Sequence, residues 1–271
     1  MTIKHLKLVF ENNNQVLRVK LNRPEIRNVF NQELISDLQE VFSTLSLREK
    51  APYDCVRAVV LQGEGAAFCA GGDLKWMKKS LELSHEENLA DCQRLTHMFL
   101  TMDRCPVPLI GLVHGFAIGG GVGLVSVCDH VIAATDTIFS LSEVKLGLIP
   151  ACIGPFVISK IGPSQSRSLF VSGERFRGEK ALKIDLVHEV CSMNELETRG
   201  QEVLQRVLEG GPGAIEAAKF LIHTLTRDLV REEFSKSLDF AAGELASLRV
   251  QPEAQEGVKA FLEKRAPSWR K

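Results

Sequence analysis

Residues 107–128 read VPLIGLVHGFAIGGGVGLVSVC, and their three parts decide the fold class. Val107 to Val113 is an apolar run of strand length, Gly119-Gly120-Gly121 breaks it, and Val122 to Cys128 can start a buried helix before Val131 to Ala133 returns to strand. Residues 56–74, VRAVVLQGEGAAFCAGGDL, repeat the pattern: a β-branched run from Val56 to Leu61 closes on Gly63 and Gly65. Strand, glycine loop and helix thus recur twice, which predicts an α/β core whose glycine loops carry the chemistry, because glycine permits unusual dihedrals and close backbone approach to a ligand.

Outward from these loops the periodicities stay regular. Residues 15–21, QVLRVKL, put Leu17, Val19 and Leu21 on one face and Arg18 and Lys20 on the other, as a half-buried strand does. The first residues, MTIKHLKLVF, also read as strand, and they contain no long apolar run or small-residue cleavage site. Over 31–48 the positions Leu34, Ile35, Leu38, Val41, Phe42 and Leu45 recur at helical spacing, with Asn31 as the cap. Ser84-His85-Glu86-Glu87 has capping-box form and opens a long helix ending near Cys105-Pro106. From about residue 195 only helical patterns follow, over 195–208, 212–225, 228–247 and 253–264, with Gly210-Gly211-Pro212 as a break. The expected organisation is a core over 1–199 and a helical oligomerisation region over 200–271.

A formal net charge of -1, from 33 basic and 34 acidic residues, argues against a nucleic-acid surface and leaves room for a local basic patch. No run approaches the roughly 18 apolar residues of a membrane span, so the expectation is a soluble, cytoplasmic protein. Seven cysteines at 55, 69, 92, 105, 128, 152 and 191 include no C-x-x-C pair, which fits neither a disulfide framework nor a cysteine zinc site. Most are read as small buried hydrophobes; Cys69, beside the glycine loop, is the exception to watch, but a catalytic thiol there is disfavoured because thiolate activation needs a specific partner. Neither glycine cluster satisfies G-x-G-x-x-G or the P-loop pattern. His114, His130 and Asp129 lack a nucleophile or ligand spacing nearby and are read as structural.

The segment from Gly65 to Leu74 resembles the F-x-A-G-x-D-L signature of the enoyl-CoA hydratase/isomerase (crotonase) family. Pro106-Val107-Pro108, Gly115 to Gly121, Cys128-Asp129 and Phe139 to Pro150 follow in family order. Leu21-Asn22-Arg23-Pro24 and Phe261-Leu262-Glu263-Lys264-Arg265 match at the two ends. The resemblance implies the crotonase (ClpP-like) fold, a spiral of β-β-α units whose C-terminal helices build trimers or pairs of trimers. It implies an acyl-CoA thioester substrate with no separate cofactor, coenzyme A being part of that substrate, and no metal.

By the family motif the amides of Gly72 and Gly120 would donate to a thioester oxyanion. Of the two glutamates that family hydratases use, the first position holds Gly123, while the second is kept as Glu143. Glu143 is the single acid/base candidate, and burial beside an apolar acyl pocket would raise its pKa. The space left at Gly123 would take water or a branched acyl group. Together with Ala151 to Phe156, more apolar than in many relatives, this pattern is similar to hydratases of the methylglutaconyl-CoA and carboxygeranoyl-CoA type. Arg27, Lys75 and Lys264 are candidates for the CoA phosphates; Ala70, Asp73 and Leu74 would line the pantetheine and adenine bend, and Phe261 would close over it. Hydration of a branched 2-enoyl-CoA is the first reading, a 3-enoyl to 2-enoyl isomerase the alternative, and a non-catalytic acyl-CoA binding protein the third.

Overall fold

The computed structural model describes residues 3–226 and 231–269. Strands β1 (Leu6–Glu11) and β2 (Val16–Leu21) form a hairpin, helix α1 (Gln32–Leu47) crosses over, and β3 (Ala58–Gly63) adds to β2 in parallel. Asn31 caps α1 by accepting from Leu34 N at 2.8 Å. Helices α2 (Leu74–Ser80) and α3 (His85–Asp103) follow, α3 opening with the Ser84/Glu87 capping box.

The spiral then shows itself. Strand β4 (Leu109–Val113) joins the first sheet, β5 (Phe116–Ile118) joins a second, and helix α4 is Gly120–Ser126. The next turn repeats this with β6 (His130–Ala134) in the first sheet, β7 (Ile138–Ser140) in the second, and α5 (Gly154–Ser172) with Pro155 in its first turn. After β8 (Arg175–Phe176), α6 (Gly178–Lys183) and β9 (Glu189–Cys191), the first sheet runs β1-β2-β3-β4-β6-β9 and the second β5-β7-β8. All first-sheet pairs beyond the hairpin are parallel.

Both faces of the first sheet are covered, which explains why β3 and β4 read as unbroken apolar runs. Leu17, Val19 and Leu21 point into the main core with Phe42, Phe68 and Phe99. Val16, Ala58, Val60, Ile110 and Leu112 point the other way, onto Leu196, Val203 and Leu204 of α7 (Leu196–Glu209). The half-buried strand expected at 15–21 is therefore corrected: α7 covers its polar face as well, and Arg18 is buried between Glu11 and Glu197, each at 2.8 Å.

The boundary expected at 199/200 falls within α7. The helices after it are α8 (Pro212–Thr226), α9 (Arg231–Arg249) and α10 (Pro252–Leu262); the first three positions of the helix expected over 228–247 lie outside the described residues. Nor is this region a detached appendage, since Leu238, Ala242, Leu245 and Ala246 of α9 belong to the main core. Helix α8 differs in exposing Phe220, Leu221, Ile222 and Leu225. Among the described residues no helix is long and apolar enough to cross a membrane.

Candidate active site

The two glycine loops are pinned to each other by backbone. Phe30 and Gly72 form a parallel bridge in which Phe30 N donates to Gly71 O at 2.7 Å and Asp73 N donates to Phe30 O at 2.8 Å. Cys69 bridges Ala117 of β5 in the same manner, through Cys69 N to Phe116 O and Ile118 N to Cys69 O. Bonding through the flanking residues turns the N–H of Gly72 away from the bridge. Gly120 occupies the first position of α4, where an amide has no partner within its helix. Among the described residues neither amide has an acceptor, and both glycines line one cavity of about 400 Å³.

Glu143 reaches the same cavity from the 3-10 turn Glu143–Leu146 that follows β7. The residue as a whole is part-exposed, but carboxylate Oε2 is sealed from solvent without a hydrogen-bond partner. Burial pushes the carboxyl up to about 7. Gly119, with φ +51°, makes room for it: a Cβ at position 119 would sit 2.9 Å from Glu143 Oε1. Glu143 is the single carboxylic acid among the described lining residues. The Cys69 thiol, by contrast, is buried and pushed up to about 12, which leaves it inert at neutral pH.

The other expected positions divide. Ala70 and Phe261 line the cavity with Gly72, Gly120 and Glu143. Asp73 does not: it is buried, pairs with Arg23 Nη2 at 2.7 Å and caps α2 by accepting from Lys75 N at 2.8 Å. This corrects the ligand-lining role expected of it. Leu74, Lys75 and Lys264 are exposed and lie outside the cavity lining. Arg27 is exposed with its guanidinium 5.1 Å from the Phe116 ring centroid, beside the cavity rather than in it.

Gly123 is a second correction. The space expected beside it is filled, because a Cβ there would meet Ile153 Cγ2 at 2.5 Å and the Phe99 ring at 2.8 Å. A side chain is missing at 123 because the core has taken its place. Asp129 and His114 are structural, Asp129 accepting from Leu109 N at 2.7 Å and His114 meeting Gly65 O at 2.9 Å.

The family profile described as enoyl-CoA hydratase/isomerase matches residues 11–271. The chain belongs to the enoyl-CoA hydratase/isomerase family. Its relatives include the enoyl-CoA isomerase/hydratase fer4 of Mycosarcoma maydis, 30% identical over 93% of this chain and 91% of that protein. Among solved structures, an enoyl-CoA hydratase from Shewanella pealeana superposes with a TM-score of 0.78 at 32% identity, covering 98% of this chain and 96% of its own. One from Bacillus halodurans does so with a TM-score of 0.83 at 27% identity, covering 95% and 100%. The fold is the crotonase fold.

Several lining residues of this family member escaped the sequence reading. Phe30, Trp76, Leu95, Leu245 and Arg249 also line the walls, drawn from α2, α3, α9 and one loop. Leu95 and Leu245 carry a helical periodicity that marks them only as apolar-face residues. Arg249 carries no local signal at all.

Proposed function

We propose that the protein hydrates a branched 2-enoyl-CoA such as 3-methylglutaconyl-CoA, with Glu143 as acid and base. What carries this reading is one carboxyl group, its Oε2 sealed and without a partner and its pKa pushed up to about 7, sharing a cavity with two backbone amides that have no acceptor among the described residues. Ionised Glu143 takes a proton from water as its oxygen adds to carbon 3, and the electron pair of the double bond moves to the thioester oxygen. The amides of Gly72 and Gly120 stabilise that oxyanion, a contribution of several kcal/mol for preorganised donors (about 3 kcal/mol each). Glu143 then returns the proton to carbon 2. One group serving both carbons delivers hydrogen and hydroxyl to the same face. No metal or further cofactor enters, and the CoA moiety arrives with the substrate.

The same single carboxyl also fits an isomerase that removes a proton from carbon 2 and returns it to carbon 4, and the name of the Mycosarcoma relative joins both activities. The exposed apolar face of α8 supports association of copies, as a trimer or a pair of trimers. The deciding experiment incubates the protein with 3-methylglutaconyl-CoA, crotonyl-CoA and 3-hexenoyl-CoA, following conjugated-thioester absorbance and product mass. Loss of conjugation with the mass of one water is expected, fastest for the branched substrate. Conjugation gained from 3-hexenoyl-CoA at unchanged mass, with no water added to the others, would make it an isomerase.

A further inference from the structure

Asp91 of α3 is almost wholly buried, yet its one carboxylate faces two guanidinium groups. Oδ1 accepts from Gln32 Nε2 and from Arg94 Nη2, both at 3.1 Å; Oδ2 accepts from Trp76 Nε1 at 3.0 Å and from Arg249 Nη1 at 3.2 Å. The cluster therefore holds one positive charge in excess. Its two cations face different spaces. Arg94 is largely exposed and borders a separate surface groove, whereas the Arg249 side chain, 12% exposed, lines the substrate cavity.

Arg249 is held still there. Its guanidinium lies 5.7 Å from the Trp76 ring centroid, and Gln255 Nε2 donates to its carbonyl at 2.8 Å. Nη1 makes both of its side-chain hydrogen bonds, to Asp91 and to Asn88 Oδ1 at 3.4 Å, so that among the described residues Nη2 and Nε have no acceptor. Leu245, one turn earlier on α9, and Leu95, one turn after Asp91 on α3, put apolar surface beside it in the cavity wall. Glu143, the one carboxyl among the described lining residues, has no partner at Oε2, so Arg249 is not its counter-ion. A fixed guanidinium with donors to spare, set in an apolar wall, suits a planar anion on the end of an apolar chain.

We infer that Arg249 is a specificity-determining residue that binds a carboxylate at the far end of the acyl chain, so that the substrate class is the CoA thioester of an unsaturated dicarboxylic acid. This deepens the hydratase reading and rests on it. The same guanidinium chemistry would also accept a CoA phosphate, and the test separates the two sources.

The test compares kcat/KM for 3-methylglutaconyl-CoA and for its distal methyl ester, in wild type, Arg249→Lys and Arg249→Met, with both acyl groups also presented as N-acetylcysteamine thioesters, which lack the phosphates. Wild type is expected to favour the free carboxylate by about 10- to 100-fold, the worth of a charged hydrogen bond. That ratio should collapse toward one in Arg249→Met, survive in part in Arg249→Lys, and behave alike for the N-acetylcysteamine thioesters. A wild-type ratio near one overturns the inference, and needs no variant to fold. So does an Arg249→Met protein whose ratio is unchanged, or whose losses are equal for acid and ester and vanish without the phosphates. If wild type turns over neither thioester, the hydratase reading fails; calorimetric Kd values for the same acid and ester pair then decide the Arg249 assignment by the same ratio.

Discussion

The front and the back of the two glycine loops are built on opposite terms. At the front, facing the cavity, polar groups are left unsatisfied: two backbone amides and the sealed Oε2 of Glu143. At the back the buried side chains are paired. Arg23 donates to Asp73 at 2.7 Å and to Val29 O at 2.6 Å, and Asn28 Nδ2 donates to Glu64 O at 2.9 Å and Ala67 O at 2.8 Å. An unpartnered buried carboxyl lowers stability, and a buried, fully paired network costs much to break. Function is thus concentrated where the fold gives up stability, and changes on the two sides should separate activity from stability.

The largest expected effect is at the front. Glu143→Gln should lower kcat by about 10²- to 10⁴-fold, the usual contribution of an acid/base group. The same change should raise the melting temperature at pH 8. The sign follows from the raised pKa: the folded protein holds this proton up to about pH 7, whereas the unfolded chain releases it near the ordinary glutamate value. The proton-linked stability is therefore present below the unfolded value and is lost as pH rises toward 7. Wild-type kcat/KM should run in the opposite direction, rising as pH passes through about 7 because the base must be ionised. An Arg or Lys ion pair to Glu143 would reverse the stability trend, so thermal melts at pH 5 and pH 8 test the front directly.

Next in size is Asp73→Asn at the back. It leaves the Arg23 guanidinium buried without its carboxylate, and unfolding free energy should fall by about 3 kcal/mol. Activity below the melting transition should change much less than in Glu143→Gln. A loss of kcat as deep as that of Glu143→Gln, with stability intact, would erase the distinction between front and back.

The smallest effect belongs to Gly123→Ala. The added methyl would press on Ile153 and Phe99, so overpacking should cost about 1–2 kcal/mol by denaturant melts. Were position 123 open to the cavity, the variant would instead fold normally and alter acyl-chain preference.

Much of this was legible in the sequence, and the reason differs from residue to residue. At Gly119 the backbone itself restricts the position, with φ at +51°, whereas at Gly120 it is the Phe30 ring, 90 positions away, that a Cβ would meet at 2.9 Å. Glu143 was legible through its spacing in a motif, and its buried carboxyl bears out the raised pKa expected from an apolar setting. Gly123 shows the limit. Its identity is local, but whether the space beside it is open depends on Phe99, 24 positions away, and on Ile153, 30 away. Asp73 shows the same limit, since a motif position says nothing of the Arg23 that neutralises it.

By itself the sequence determined the α/β class, the alternation of strand, glycine loop and helix, and the capped starts of α1 and α3. Each follows from periodicity or from a restriction that acts within a few residues. Only the tertiary structure decided that α7 closes the second face of the sheet, that α9 completes the core, and that Trp76, Asp91 and Arg249 meet at the cavity wall. Trp76 and Arg249 are 173 positions apart, and each looks like an ordinary helix residue until packing supplies the other.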